Sequence, residues 1–398
     1  MIERREGRRW VIPPAVRRGA SENIERIGIL AEHPDAEGVL LWRLVRDVEL
    51  WTAASTAERE HLFAHGARRI RTLRLRASTV PTDVRLQLRC LSRTLAEPAH
   101  ASAAEIAGAS AAVAEWAREI EARETALAFA QAAALTSDDP AHALLTGNCA
   151  EEAGQPERAH TWYVRAVGLA RRARDWQSYA RAFLELGRIA EQDGNPARAR
   201  RLYLRTFRTG RRHGFPAERG RAAAALFRLA RDAGDHEAAS RYARIATRAL
   251  LRSDARIAGL VVLLAEYWIA NGNARAALRL LEILESDSLP PQTRAAGAVL
   301  RVRAAIAGGD EGMARHAWAS AYALLQAGPH AEHTGADAAA LLTLAKCAAA
   351  LDDVRGIERA GHAALVRAAA EDYPRIHREL VTLAGDRLDF GTAPVGAE

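Results

Sequence analysis

Two stretches of this 398-residue chain can be laid on each other almost residue for residue. GNCAEEAGQPERAHTWYVRA (147–166) and GRIAEQDGNPARARRLYLRT (187–206) place Gly147 and Gly187 in one register, followed by Gly154 and Gly194, Pro156 and Pro196, Ala159 and Ala199, and Tyr163 and Tyr203. The frame returns as FRLARDAGDHEAASRYARIA around Gly234, AEYWIANGNARAALRLLEIL around Gly272, VRAAIAGGDEGMARHAWASA around Gly309 and AKCAAALDDVRGIERAGHAA around Asp352. A looser copy, AEWAREIEARETALAFAQAA, turns near Glu121. Successive turns lie about 40 residues apart, and a fixed period in this range marks a solenoid of stacked units in place of one large core.

Each repeated position has a physical reason. Glycine in the turn takes the left-handed conformation that ends a helix, and proline two residues later suits a first helical turn, where its missing N–H is not needed. Small residues such as Gly187 and Ala199 let two helix axes approach, while Tyr203 or Trp318 fills the space a turn further on. Ala, Leu, Arg and Glu dominate, and no apolar–polar alternation is long enough for a sheet, so helix is the reading throughout. One helix pair cannot bury its apolar face alone, whereas stacked pairs can.

Over roughly Ala101 to Ala370 these residues resemble the tetratricopeptide repeat family, in a long-period variant whose helices run about a turn longer. The resemblance implies an all-α, right-handed superhelical α-solenoid of tandem antiparallel helix pairs. It implies further that the first helix of each pair lines a concave face, with its second, fifth, ninth and twelfth positions free to touch a ligand. Carried onto this chain, that register selects Asn148, Arg181, Arg188, Arg221, Arg228, Arg231, Glu266, Arg303 and Lys346. The central groove then reads as basic, and Arg181, Arg188, Arg221 and Arg228 become clamps for the carboxylates of an acidic peptide segment or protein tail. The function implied is a non-enzymatic interaction scaffold or adaptor.

Against a selected basic groove stands the composition. Of 56 basic residues against 49 acidic ones, all but Lys346 are arginine. Arginine is thus the default solvated residue in a GC-rich, bacterial-like sequence. The same excess supports an alternative, a nucleic-acid-associated or regulatory protein using Arg200, Arg201, Arg205, Arg208, Arg211 and Arg212 on a second helix. Repeat proteins that read RNA carry a regular base-reading pair in each unit, and none recurs here. A structural subunit of a homo-oligomeric assembly is a third reading, and the sequence fixes no oligomeric state.

The ends differ from the array at 101–371. Residues 1–20 form an arm with Arg4, Arg5, Arg8, Arg9, Arg17 and Arg18 around Trp10 and Pro13-Pro14, either an arm that docks on an acidic surface or nucleic acid through Trp10 or a plain leader. Residues 21–100 read as a divergent helical cap, in which EGVLLWRLVRDVELW is one helix, Ser55 and Glu58 cap the next, carrying Leu62, Phe63, Ile70 and Leu73, and Thr82 begins a third. Residues 372–388 form a closing helix with Ile376, Leu380 and Leu383 on one side, and 389–398 a disordered tail.

Catalytic chemistry has nothing to stand on: no GxxxxGK[ST], dinucleotide-binding glycine turn, GxSxG or HExxH occurs, and neither an enzyme nor a cofactor is expected. His61 and His65 beside Glu58, and His330, His333 and Asp337 in a connecting loop, have metal-ligand spacing but lack complete ligand sets, so no metal is assigned. Trp162, Trp268 and Trp318 fall at repeat positions that serve helix contacts. Cys90, Cys149 and Cys347 lie far apart and form no CxxC, and neither a signal peptide nor a membrane span is legible. A reducing cytoplasm fits these features.

Overall fold

The computed structural model describes residues 4–5, 9–10, 24–34, 36–63, 81–96, 101–251, 258–285, 289–327, 335–369, 372–385, 388 and 390. Apart from a two-residue antiparallel ladder, Arg4–Arg5 with Arg9–Trp10, the described residues are helical or lie in turns. They fall into two compact units, Met1–Leu229 and Ala230–Glu398.

The first unit opens with α1 (Ile24–Glu32), α2 (Ala36–Ala53), α3 (Thr56–Phe63) and α4 (Thr82–Ala96). The apolar spacing of α2 buries Leu41, Leu44, Val45, Val48 and Trp51. The Ser55–Glu58 box forms as the sequence predicts: the Ser55 N–H donates to Glu58 at 2.7 Å and the Glu58 N–H donates to the Ser55 hydroxyl at 3.4 Å. Three helix pairs follow: α5 (Ala103–Glu119) with α6 (Arg123–Thr136), α7 (Pro140–Glu152) with α8 (Pro156–Ala173), and α9 (Trp176–Gln192) with α10 (Pro196–His213). A further helix, α11 (Pro216–Asp232), reaches the boundary between the units. One core runs from Ile29 through Phe129, Trp162 and Tyr163 to Ile189.

Helix α6 begins without a side-chain cap of its own. Its first amides, which have no acceptor within the helix, are met from the end of α1, where the Glu32 carboxylate accepts from the Glu124 N–H at 2.8 Å, the Thr125 N–H at 2.9 Å and the Thr125 hydroxyl at 2.7 Å. A negative charge at a helix N-terminus is favourable, so this contact joins α1 to the α5–α6 pair.

The second unit holds α12 (His236–Leu250), then α13 (Ala258–Ala270) with α14 (Ala274–Leu281), α15 (Pro291–Ala307) with α16 (Glu311–Gln326), α17 (Gly335–Ala350) with α18 (Val354–Arg367), and the closing helix α19 (Tyr373–Ala384). Helix α14 is eight residues long and passes into a 3-10 turn at Glu282–Glu285, whereas the second helices α16 and α18 run to sixteen and fourteen residues. Ile376 and Leu380 bury the closing helix against the last pair, while Leu383 stays half-buried. Phe390, inside the expected tail, is buried and lies over Gly361.

Every turn that defines the repeat in the sequence is left-handed, from Glu121 (φ 60°) through Gly154, Gly194, Gly234, Gly272 and Gly309 to Asp352 (φ 55°). In each case the residue after it donates back to the preceding helix, as in Gln155 N–H to Ala150 O at 2.8 Å and Asn195 N–H to Ala190 O at 2.9 Å. In five of the repeats that same residue is Asn or Asp and caps the next helix: Asn195, Asp235, Asn273, Asp310 and Asp353 each accept from the N–H three positions on. The glycine–Asx step therefore ends one helix and starts the next. Helices of seventeen and eighteen residues, as in α9 and α10, account for the long period.

Candidate interaction surface

Packing consumes the most regular residues of the repeat. A Cβ on Gly187 would stand 2.5 Å from the Tyr203 ring, and one on Gly147 would collide with Tyr163 in the same way. Only glycine admits the tyrosine so close to the neighbouring helix. Both rings are buried, and burial pushes both phenols far above their ordinary value, so they remain protonated donors. Tyr163 donates to Asn148 at 2.8 Å and to Glu151 at 3.2 Å, and Tyr203 donates to Glu191 at 2.7 Å.

The carboxylates that receive these hydrogen bonds bring in the arginines. Arg188, on α9, ion-pairs with Glu151 on α7 and reaches Glu185 at 3.0 Å. One repeat later Arg228, on α11, pairs with Glu191 on α9 at 3.2 Å. Both pairs span 37 residues. The unit is a relay from the tyrosine of a second helix to a glutamate of its own first helix and on to an arginine of the next first helix. Arg181 adds a parallel rung to Glu218 at 2.9 Å, and Gln177 donates to the same carboxylate at 3.1 Å. Arg118 joins Glu152 at 2.6 Å, and in this pair, as in Arg181–Glu218, the arginine lies on the earlier helix, the reverse of the order in Glu151–Arg188 and Glu191–Arg228.

This ladder changes what the predicted clamp residues offer. Arg181, Arg188 and Arg228 keep 50%, 38% and 37% of their side chains exposed, but each already holds a carboxylate of the neighbouring repeat. Glu218 is buried; burial disfavours its charge, yet the hydrogen bonds from Gln177 and Arg181 prevail and hold its carboxyl below the usual value. Glu185 behaves oppositely, since burial raises its carboxyl above the usual range despite the nearby Arg221.

The other predicted positions divide. Asn148 is engaged by Tyr163, and Arg221 is exposed on α11. In the second unit Arg231 pairs with its neighbour Asp232 at 2.9 Å, Glu266 is exposed on α13, and Arg303 is half-buried. Lys346 pairs with Glu379 of the closing helix at 2.5 Å, which holds that carboxyl low. The register position of Glu151 and Glu191 falls on Arg231 one repeat later, so the relay stops there. Sequence reasoning missed Glu151, Glu191 and Glu218. The first two each stand three residues before their turn glycine, Gly154 and Gly194, a recurrence present in the two matched segments.

The candidate metal residues are described only in part. His61 is exposed on α3, and Glu58 is engaged in the cap; His65, His330 and His333, like Arg8, Arg17, Arg18 and Pro13-Pro14 of the arm, lie outside the described residues. Among the described residues no group of three or more His, Cys, Asp or Glu is placed to hold a metal ion. Trp162, Trp268 and Trp318 are buried, the last two donating to Thr247 at 3.0 Å and to the Leu344 carbonyl at 2.9 Å. Cys149 and Cys347 are buried, and burial raises their thiols to about 12 and about 11. Among the described residues no helix is long and apolar enough to cross a membrane.

Helix pairs turned by left-handed glycines and locked by tyrosines over small residues define an all-α, tetratricopeptide-like repeat array. No family model matches the chain, and no curated protein sequence is similar to it. Among solved structures it is similar to Pseudomonas aeruginosa pilF, at 14% identity over 57% of this chain and 95% of that one, with a TM-score of 0.43. It is similar to the TPR2AB domain of yeast Sti1 in its complex with pHSP90, at 16% identity over 70% of this chain and 96% of that one, TM-score 0.27. It is also similar to the apo form of the quorum sensor NprR from B. thuringiensis, at 10% identity over 85% and 98%, TM-score 0.34.

Proposed function

We propose that the chain is a non-enzymatic interaction module that holds a peptide or protein segment on the first-helix face of its first unit. The observation that carries this reading is the division of labour within the repeat. Its glycines and tyrosines are spent on helix contacts, while its first helices present half-exposed arginines already aligned by carboxylates one repeat away. Such a row is preorganised for carboxylates, because an acidic segment can exchange for, or add to, the acceptors already there. Selectivity then comes from spacing. A ligand must offer acidic groups at the separation of successive first helices, about 10 Å. The buried thiols Cys149 and Cys347 suit a reducing cytoplasm.

Affinity capture from the native cell, with wild type and the Arg188→Glu/Arg228→Glu variant compared, tests the site. Loss of a co-purified protein is the expected result, provided thermal melts show the variant folded. A partner retained equally would remove these arginines from the site. The swapped pair Glu151→Arg/Arg188→Glu separates binding from folding, since it keeps an ion pair and inverts its order.

A second reading rests on α10, whose sequence PARARRLYLRTFRTGRRH contains no acidic residue. Arg205 lies over the Phe183 ring at 4.9 Å, while Arg200, Arg201, Arg208, Arg211 and Arg212 have no acidic partner among the described residues. Such a helix favours polyanions. A salt titration with a single-stranded oligonucleotide distinguishes the readings, because phosphate-dominated binding falls steeply with ionic strength. Weak binding with a shallow salt slope would discard this second reading.

A further inference from the structure

The shortened helix α14 opens a cleft in the second unit. With α14 ended after two turns, α14 and α16 flank an open cavity of about 880 Å³ over α15. Its floor is apolar, formed by Leu278, Leu281 and Leu284 together with Ala298 and Ala317. Along α16, Met313, Ala317, Ser320 and Leu324 follow helical spacing on the cleft side over roughly 16 Å. Met313 and Leu324 are 42% and 38% exposed, large apolar side chains left facing an open space.

The charges around this floor are not symmetric. Arg301 is tied to Glu285 at one end. At the other, Arg275 and Arg279 stand one turn apart on α14, exposed and without an acidic partner among the described residues. Beyond α14 the lining carries both signs, Glu282 and Glu285 with Arg294 and Arg301, so the uncompensated positive charge of the cleft is that of Arg275 and Arg279.

We infer that this cleft binds an amphipathic helical segment of a partner protein, its apolar stripe against Leu278, Ala317 and Leu324 and its acidic flank against Arg275 and Arg279. The shape argues for a helix, because the cleft runs along three turns of α16, beside α14 and the 3-10 turn that follows it. Helices seat in such grooves through side chains at i, i+3 or i+4, and i+7, the spacing at which α16 offers its own. The charge argues for acid on one flank only. This site lies within the second unit and is independent of the arginine ladder of the first.

The test uses the full chain and a fluorescein-labelled synthetic helix, with leucines at spacings of three and four and glutamates along one flank. Fluorescence anisotropy should show saturable binding that weakens about tenfold or more in Leu324→Asp and in Arg275→Glu/Arg279→Glu. Leu324 is partly exposed, so its replacement leaves the fold intact, which circular dichroism verifies. A counterpart peptide with lysine for glutamate should bind wild type poorly and regain affinity for the Arg275→Glu/Arg279→Glu variant. Equal binding of both peptides to wild type, or an unchanged affinity in Leu324→Asp, would overturn the inference. So would dodecanoate binding in place of the peptide, which would make the cleft a small-amphiphile site, or self-association abolished by Leu324→Asp, which would make a second copy the occupant. Failure here leaves the first-unit site untouched, because that site is read through Arg188 and Arg228.

Discussion

Arg228 meets the Glu191 carboxylate at 3.2 Å across two successive repeats, and the phenol of Tyr203 donates to the same carboxylate at 2.7 Å. One acidic group thus links a second helix, its own first helix and the first helix that follows. The pair is half-exposed, at 37% and 28%, so solvent screening limits what it contributes. A double-mutant cycle of Glu191→Ala and Arg228→Ala, followed by urea denaturation, should return a coupling of about 0.5 kcal/mol that shrinks in high salt. A coupling indistinguishable from zero would reduce the ladder to an incidental contact.

Gly187→Ala should be among the most damaging single-methyl additions in the chain. The new Cβ would lie 2.5 Å from Tyr203 Cε1, and overpacking of this kind costs about 1–3 kcal/mol. In a Tyr203→Ala background most of that penalty should vanish. Gly194→Ala provides the contrast: nothing lies within 4 Å of its Cβ and only the φ of +70° resists the side chain, so its cost is about 1 kcal/mol and does not depend on Tyr203.

Acid should weaken the first unit through Glu218. Its folded carboxyl lies below the ordinary value of 4.5, so the unfolded chain binds that proton more tightly. The resulting stability is fully present above the ordinary value and is lost as pH falls through the lowered one. Glu218→Gln should therefore lower the melting temperature near neutrality and flatten the decline between about pH 5 and pH 3. Glu185 carries the opposite sign: its raised carboxyl opposes folding above the raised value, and the penalty is relieved as pH falls through it. Glu185→Gln should show a smaller neutral-pH loss than its contact with Arg188 alone implies.

Replacing Glu32 with Gln keeps the length of the side chain but removes its charge and one of the two oxygens that accept from α6. A loss of about 1 kcal/mol is expected. Hydrogen exchange should localise it, with the amides of Glu124 and Thr125 opening faster than those in α9. Uniform protection across both helices would show that the Glu32 contact does not hold the cap in place.

The repeat frame was legible because packing residues recur with the period of the structure. Glu121 and Asp352 turn in the left-handed conformation just as the glycines do, and Tyr163 and Tyr203 sit over Gly147 and Gly187. The charge of the candidate face was legible only by halves. Arg188 and Arg228 stand out within one repeat, but their partners Glu151 and Glu191 lie 37 residues earlier, and a register that assigns positions one repeat at a time cannot bring the two together. The Glu32 cap was hidden for a stronger version of the same reason, since no local pattern around Ala122 announces an acceptor from another helix. The cleft beside α14 was invisible too, because Asn273 and the turn before it follow the frame and the helix ends early only afterwards.

The Glu32 contact also sets an order of events on the ribosome. The turn hydrogen bonds of each repeat close within a few residues, so a helix pair can form as soon as both halves emerge. The cap instead joins groups 92 and 93 positions apart, and at about 5–20 residues per second α1 waits several seconds or more for α6 to be made. Throughout that interval the apolar side of α2, which also docks on α6, has no finished surface to cover it. Although made before α6, α1 and α2 thus complete their native contacts only after it emerges, and during that interval their apolar sides are open to aggregation or chaperone capture.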